Sequence, residues 1–167
     1  MSSTLETLRL RALRYVKNCA VELSLIKLLG NGQDGAVWQT SSNTAVKAFE
    51  RERAYTCELR SYQRLKQHGI ASLLGFTIPT LVGFSDELLV VEMSFVSPPC
   101  LLDFGKVYFD QAPEYEEGTW EESMEERSRD FEHGQWEVVE KLMWKLEAIG
   151  IFYVDPKPAN IQFVKEQ

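Results

Sequence analysis

Apolar positions along the chain follow two rhythms, one helical and one extended, and the places where they exchange outline the fold. Residues 4 to 20 carry Leu5, Leu8, Ala12, Val16 and Cys19 at helical spacing, which predicts an amphipathic helix. From residue 21 the pattern shortens to strands at 21 to 29, 36 to 40 and 45 to 49. Ser41-Ser42-Asn43 supplies the hairpin turn between the last two. Residues 50 to 68 place Tyr55, Leu59, Tyr62 and Leu65 at three- and four-residue intervals, so a helix with one buried face is expected, stopped by Gly69. Strands at 78 to 82 and 88 to 93 follow, joined through Ser85-Asp86-Glu87. Ser97-Pro98-Pro99 then breaks the pattern and marks a boundary. Beyond it, residues 119 to 133 form an acidic helical stretch. Residues 135 to 149 set Trp136, Val139, Met143, Leu146 and Ile149 in one stripe that Gly150 ends. No internal repeat or low-complexity linker is visible.

The expected fold is therefore α+β. A helix at 1–20 precedes a five-stranded antiparallel sheet with one packed helix at 21–96, and a reduced, mainly helical unit occupies 97–167.

Composition narrows the function. The net charge of -7 lacks the basic stripe of a nucleic-acid binder, so no nucleic-acid partner is expected. Residues 110 to 132 hold ten acids against two bases, Arg127 and Arg129, and so carry the whole negative excess. That stretch is a solvated helix or a docking face for a basic protein partner. Cys19, Cys57 and Cys100 are odd in number and far apart, which fits a reducing, cytoplasmic setting better than disulfides or zinc. His68 and His133 suggest no metal site. The longest uncharged stretch is interrupted by Gly75, Pro79 and Gly83, so no membrane span is expected. The N-terminus lacks the apolar run of a secretory signal. Its Arg9, Arg11, Arg14 and Lys17 could mimic a transit peptide, but they lead straight into the folded pattern.

Three motifs carry candidate chemistry. In Gly30-Asn31-Gly32-Gln33-Asp34-Gly35-Ala36-Val37, glycine spacing lets backbone N–H groups approach phosphate oxygens. The same spacing matches a dinucleotide fingerprint, which requires a helix next. Here a strand and a hairpin turn follow. Lys47 ends Thr44-Ala45-Val46-Lys47, and at this point the sequence resembles the protein-kinase family, whose third strand carries a V-A-I-K type motif. The resemblance implies that Lys47 serves the α- and β-phosphates and that Glu58, on the next helix, holds it in place. Glu50 and Glu52 sit too close to the strand end for that role. Val90-Val91-Glu92-Met93-Ser94 resembles the kinase hinge, which implies adenine contacts from the backbone at Glu92 and Ser94, with Val91 behind. Asp155-Pro156-Lys157-Pro158-Ala159-Asn160 resembles the catalytic loop, D-x-K-P-x-N. In the family the aspartate accepts the acceptor's hydroxyl proton, the lysine neutralises the transferred group and the asparagine holds a metal ion.

The resemblance is incomplete. Tyr153 and Val154 stand where the family has His and Arg, so control by activation-loop phosphorylation is not expected. No D-F-G follows Asn160. Glu166 comes nearest to the missing metal ligand. The chain stops without the activation segment or a peptide-binding platform. A D-F-G does occur at Asp103-Phe104-Gly105, before the catalytic loop. It reads as coincidence, with Leu101, Leu102 and Phe104 packing and Asp103 capping or facing water; a displaced metal ligand is the alternative and would require an unusual chain path. The resemblance thus implies an ATP-type nucleotide cleft, with ATP and Mg²⁺ as cofactors and adenine nucleotide as partner. One reading is a minimal phosphotransferase. Its alternative is a catalytically inactive pseudokinase-like binding or scaffold module, and a dinucleotide-binding domain is a more distant third.

Overall fold

The structure is a computed structural model that describes residues 3–19 and 22–164. Residue 21, expected to open the first strand, and Glu166 lie outside the described residues. The chain begins with α1 (Ser3–Asn18), then β1 (Leu25–Asn31), β2 (Gly35–Thr40), β3 (Thr44–Phe49) and α2 (Glu52–Gln67). The short strands β4 (Ser72–Leu73) and β5 (Phe76–Thr77) precede β6 (Leu81–Ser85) and β7 (Val90–Ser94). After the prolines come β8 (Cys100–Leu101), β9 (Val107–Phe109), α3 (Thr119–Ser128), α4 (Gln135–Glu147), β10 (Ile151–Tyr153) and β11 (Ile161–Gln162).

Among the described residues, five strands form an antiparallel sheet in the order β1-β2-β3-β7-β6. Gly35 opens a strand and not a helix, which removes the dinucleotide-fold arrangement. Its own conformation has a packing cause, since a Cβ there would run into the Ala48 carbonyl of the neighbouring strand. The last two strands of the sheet run two to three residues later than the sequence pattern suggests. Ile78 is buried in the core beyond the strand, so its apolar character reflects packing and not pairing.

The two-residue period of the strands splits the interior into two clusters. Ala45, Phe49, Val91 and Met93 face α2, where Tyr55, Leu59, Tyr62 and Leu65 meet them. Ala36, Trp38, Val46, Ala48 and Val90 face the other way, onto Leu8, Ala12, Tyr15 and Val16 of α1. The expectation of one packed helix is therefore corrected to two, one on each face. The helical stripe at the N-terminus reveals an apolar face but not what it docks on. Polar contacts fix the docking: Arg11 donates to the Phe49 carbonyl at 2.8 Å, and the Tyr15 hydroxyl donates to Glu92 at 3.0 Å. Gly83 leaves room for that hydroxyl, which a Cβ would strike.

The chain after residue 97 contributes strands as well as helices. In a second sheet of order β11-β8-β5-β4, β8 runs antiparallel to β11 and parallel to β5. A third pairing joins β9 to β10. These ladders bring the segment of residues 100 to 109 alongside the segment of residues 151 to 162. The apolar core runs continuously from the α2 face of the large sheet through Phe104, Val107, Leu142, Leu146, Ile151 and Ile161. Arg64 on α2 clamps this junction. It forms a two-pronged ion pair with Asp110 (2.6 and 3.1 Å) and donates to the Gly150 carbonyl at 2.8 Å. Asp110, one of the acids of the 110–132 stretch, is thus engaged within the chain. No helix among the described residues is long and apolar enough to cross a membrane.

Candidate active site

A cleft of about 600 Å³ lies between the large sheet and the segments after residue 97. Its size falls in the range of small-molecule sites. Its upper wall is the β1–β2 hairpin with Gly30, Gly32, Gly35 and Val37, and its floor includes Asp103, Lys106, Lys157 and Asn160. A Cβ added at Gly30 or Gly32 would meet nothing within 4 Å. Packing therefore does not demand glycine at these two positions, and both leave open space on the cleft side.

Lys47 comes from the centre of β3, opposite Val91 of β7. Its ammonium lies 2.6 Å from Glu58 Oε2 and 3.2 Å from Asp103 Oδ1. Burial alone would lower the Lys47 pKa, but the two carboxylates outweigh it and keep the ammonium protonated well above the usual lysine range. Burial lifts the Glu58 carboxyl to about 7, against the pull of Lys47. Asp103 is held below its ordinary value. Its partial burial works against ionisation, and Lys47 together with the Gly105 N–H prevails.

Asp103 meets Lys47 and does not simply face water, and it also accepts from the Gly105 N–H at 3.3 Å, as the capping reading expects. Phe104 is fully buried and stacks edge-on between Tyr62 of α2 (5.5 Å) and Tyr153 of β10 (5.6 Å). That packing turns Asp103, at φ 58°, toward Lys47. The Tyr153 hydroxyl donates to the Leu102 carbonyl at 2.7 Å and pins the same loop. The signal was present in the motif itself but stood at the wrong place in chain order.

The catalytic-loop motif closes the floor. Asn160 Nδ2 donates to the Asp155 carbonyl at 3.1 Å, and the Asn160 carbonyl accepts from the Leu102 N–H at 2.7 Å. These bonds set Asn160 beside the Asp103 loop. Asp155 receives Arg127 on Oδ1 at 2.8 Å, and Lys106 and Lys157 on Oδ2 at 3.2 and 3.1 Å. Its burial favours the neutral form, but the lysine hydrogen bonds hold the carboxyl below its usual value. Lys106 and Arg127 lie 49 and 28 residues from Asp155. No local pattern announces either of them.

Glu92 does not face the cleft. It sits mid-strand with β3 on one side and β6 on the other, and its side chain is buried on the α1 face between Tyr15 and Thr44. Ser94 lines the cleft, but its N–H is taken by the Thr80 carbonyl at 2.9 Å. Met93 and the stretch from Phe95 to Ser97 border the cleft at this end. Strand alternation put the hinge-like residues on the correct strand without saying which of them turned inward.

No family model matches the chain, and no curated protein does. Solved structures of aminoglycoside phosphotransferases show limited likeness. The streptomycin–ATP–APH(2")-IIa ternary complex aligns at 17% identity and TM-score 0.42, over 52% of this chain and 28% of that one. ADP-bound APH(2'')-Ib aligns at 18% and 0.39, over 72% and 36%. The gentamicin complex of APH(2")-IIa aligns at 16% and 0.40, over 81% and 50%. The chain thus spans half or less of these structures. At such similarity only the residues of this chain bear on its chemistry.

Removing Lys47 leaves Glu58 and Asp103 facing each other without a counter-charge. Lys47→Met is expected to cost about 3–5 kcal/mol, read as a fall in melting temperature of roughly 6–20 °C, and Lys47→Met/Glu58→Gln to recover part of it. Equal melting of the single and double variants would show that the pair is not buried as described. The raised Glu58 pKa has a definite sign. A carboxyl whose folded pKa exceeds its unfolded one destabilises the fold above the folded value, and that penalty is relieved as pH falls toward the ordinary 4.5. Wild type is therefore expected to gain stability relative to Glu58→Gln between pH 7 and 4.5 in paired denaturant titrations. A constant difference across that window would contradict the assignment.

Proposed function

We propose that this chain is a kinase-like, ATP-dependent phosphotransferase unit and that Asp103 is its metal-binding aspartate. The observation that carries the reading is the convergence of the Lys47–Glu58–Asp103 cluster and of Lys157 and Asn160 on one glycine-walled cleft, with Asp155 behind its lining and tied to it through Lys106 and Lys157. In this reading the β1–β2 hairpin lies over the nucleotide phosphates, with Gly30 and Gly32 allowing close backbone approach. Lys47, kept charged by its two carboxylates, faces the α- and β-phosphates. The adenine edge meets the backbone from Phe95 to Ser97, because the backbone of Glu92 is committed within the sheet.

The donor set fits Mg²⁺. Asp103 offers a carboxylate, and Asn160, whose amide nitrogen is engaged by Asp155, offers its side-chain oxygen. Among the described residues no cluster of three or more His, Cys, Asp or Glu forms a protein-only metal cage. Mg²⁺ usually shares its shell with waters and substrate phosphates, so two protein oxygens suffice. Bound there, the ion would neutralise charge on the phosphates.

Asp155 is the proton acceptor. The acceptor oxygen bonds to the γ-phosphorus, the bond to the bridging oxygen breaks, ADP leaves, and the hydroxyl proton passes to Asp155. A carboxylate below its ordinary pKa is a weak base. It serves because proton transfer runs late in a loose transition state and positioning dominates. Lys157 stands by to neutralise the transferred group.

With labelled ATP and a panel of hydroxyl acceptors, Asp155→Asn is expected to lower transfer by about 100-fold or more while nucleotide binding persists. Equal transfer by both proteins would remove Asp155 from catalysis. Nucleotide binding without transfer by either would move the chain to the pseudokinase-like class.

A further inference from the structure

Asp155 meets more positive charge than it can neutralise. Arg127, Lys106 and Lys157 all direct their cationic groups onto its one carboxylate, and Lys157 also lies within electrostatic reach of Asp103. With Lys47, Glu58 and Asp103 counted in, four cations face three carboxylates, an excess of one positive charge in a chain whose net charge is -7. Arg127 reaches inward from α3, a helix otherwise rich in Glu121, Glu122, Glu125 and Glu126 and without a buried residue. Its Nε is buried and has no hydrogen-bond partner. An unfilled donor beside surplus positive charge is costly to bury without an anion.

The cluster also has a direction. Lys106 and Lys157 line the cleft, whereas Arg127 lies outside its lining and reaches Asp155 from α3. The positive charge therefore continues from the cleft, through Asp155, to α3. Each carboxylate oxygen has two acceptor sites, so Oδ1, held by Arg127 alone among these cations, keeps one for a hydroxyl.

We propose that Arg127 and Lys106 form a subsite for an oxyanion carried by the acceptor, so that the substrate is a small alcohol bearing a carboxylate or phosphate. This rests on the phosphotransferase reading above. The acceptor's anion takes up the remaining donors of Arg127 and Lys106 and so sets the neighbouring hydroxyl against Oδ1. A guanidinium suits this role because its planar fork binds oxyanions through two hydrogen bonds. A neutral or cationic alcohol gains no such anchor.

The test is calorimetric titration of the full chain with inorganic phosphate, first alone and then saturated with ADP and Mg²⁺. Wild type, Arg127→Gln, Arg127→Lys and Lys106→Gln are compared, each checked by thermal melting. Phosphate is expected to bind the ADP-loaded wild type, to weaken at least about tenfold in Arg127→Gln and Lys106→Gln, and to be partly retained in Arg127→Lys. ADP affinity is expected to survive Arg127→Gln. Undetectable phosphate binding, or binding insensitive to Arg127→Gln, overturns the subsite. Sensitivity to Lys106→Gln alone also overturns it, since the phosphate then occupies the γ-position. If ADP fails to bind while phosphate binding still depends on Arg127, the nucleotide reading fails and the anion site stands.

Discussion

The buried ammonium of Lys47 is the constraint on which the rest depends. One charge from the centre of β3 ties together a helix, through Glu58, and the loop after β8, through Asp103. Burying a lysine is unfavourable unless carboxylates meet it at close range. The pairing therefore requires α2 to pack with Glu58 inward and requires the 100–109 segment to pass beneath the sheet. The continuous core and the Arg64 clamp at Asp110 and Gly150 hold both in register. In the proposed reading, catalytic geometry and fold stability depend on the same contacts.

The chain reaches this geometry by an unexpected route. In the family that the motifs resemble, the metal-binding aspartate follows the catalytic loop. Here Asp103 precedes Asp155 by 52 positions in the sequence. Strand pairing makes the order immaterial: β8 lies beside β11, and β9 beside β10, so the two segments are neighbours whichever comes first. The Tyr62–Phe104–Tyr153 stack then anchors the aspartate from below. Tyr153, at the family's histidine position, contributes a ring to the stack and a hydroxyl to the Leu102 carbonyl.

What could be read from the sequence followed the range of the interactions. The sheet, α2 and the Lys47–Glu58 pair were legible because periodicity and motif spacing are local signals. The N-terminal helix was legible as a helix, but its docking through Tyr15 and Glu92 depends on contacts 77 residues apart. The backbone at Glu92, read from the hinge resemblance as an adenine contact, lies mid-strand between β3 and β6, which the motif alone does not reveal. A displaced ligand at Asp103 was ranked below coincidence because chain order stood in for spatial order. Lys106 and Arg127 were invisible because only tertiary packing brings them to Asp155.

The most direct measurement of the central claim is the effect of Mg²⁺ on ADP affinity in wild type and Asp103→Asn. If Asp103 completes the site with Asn160, Mg²⁺ tightens ADP binding in wild type and Asp103→Asn abolishes that gain while metal-free ADP affinity remains. The same Mg²⁺ dependence in both proteins would contradict the account.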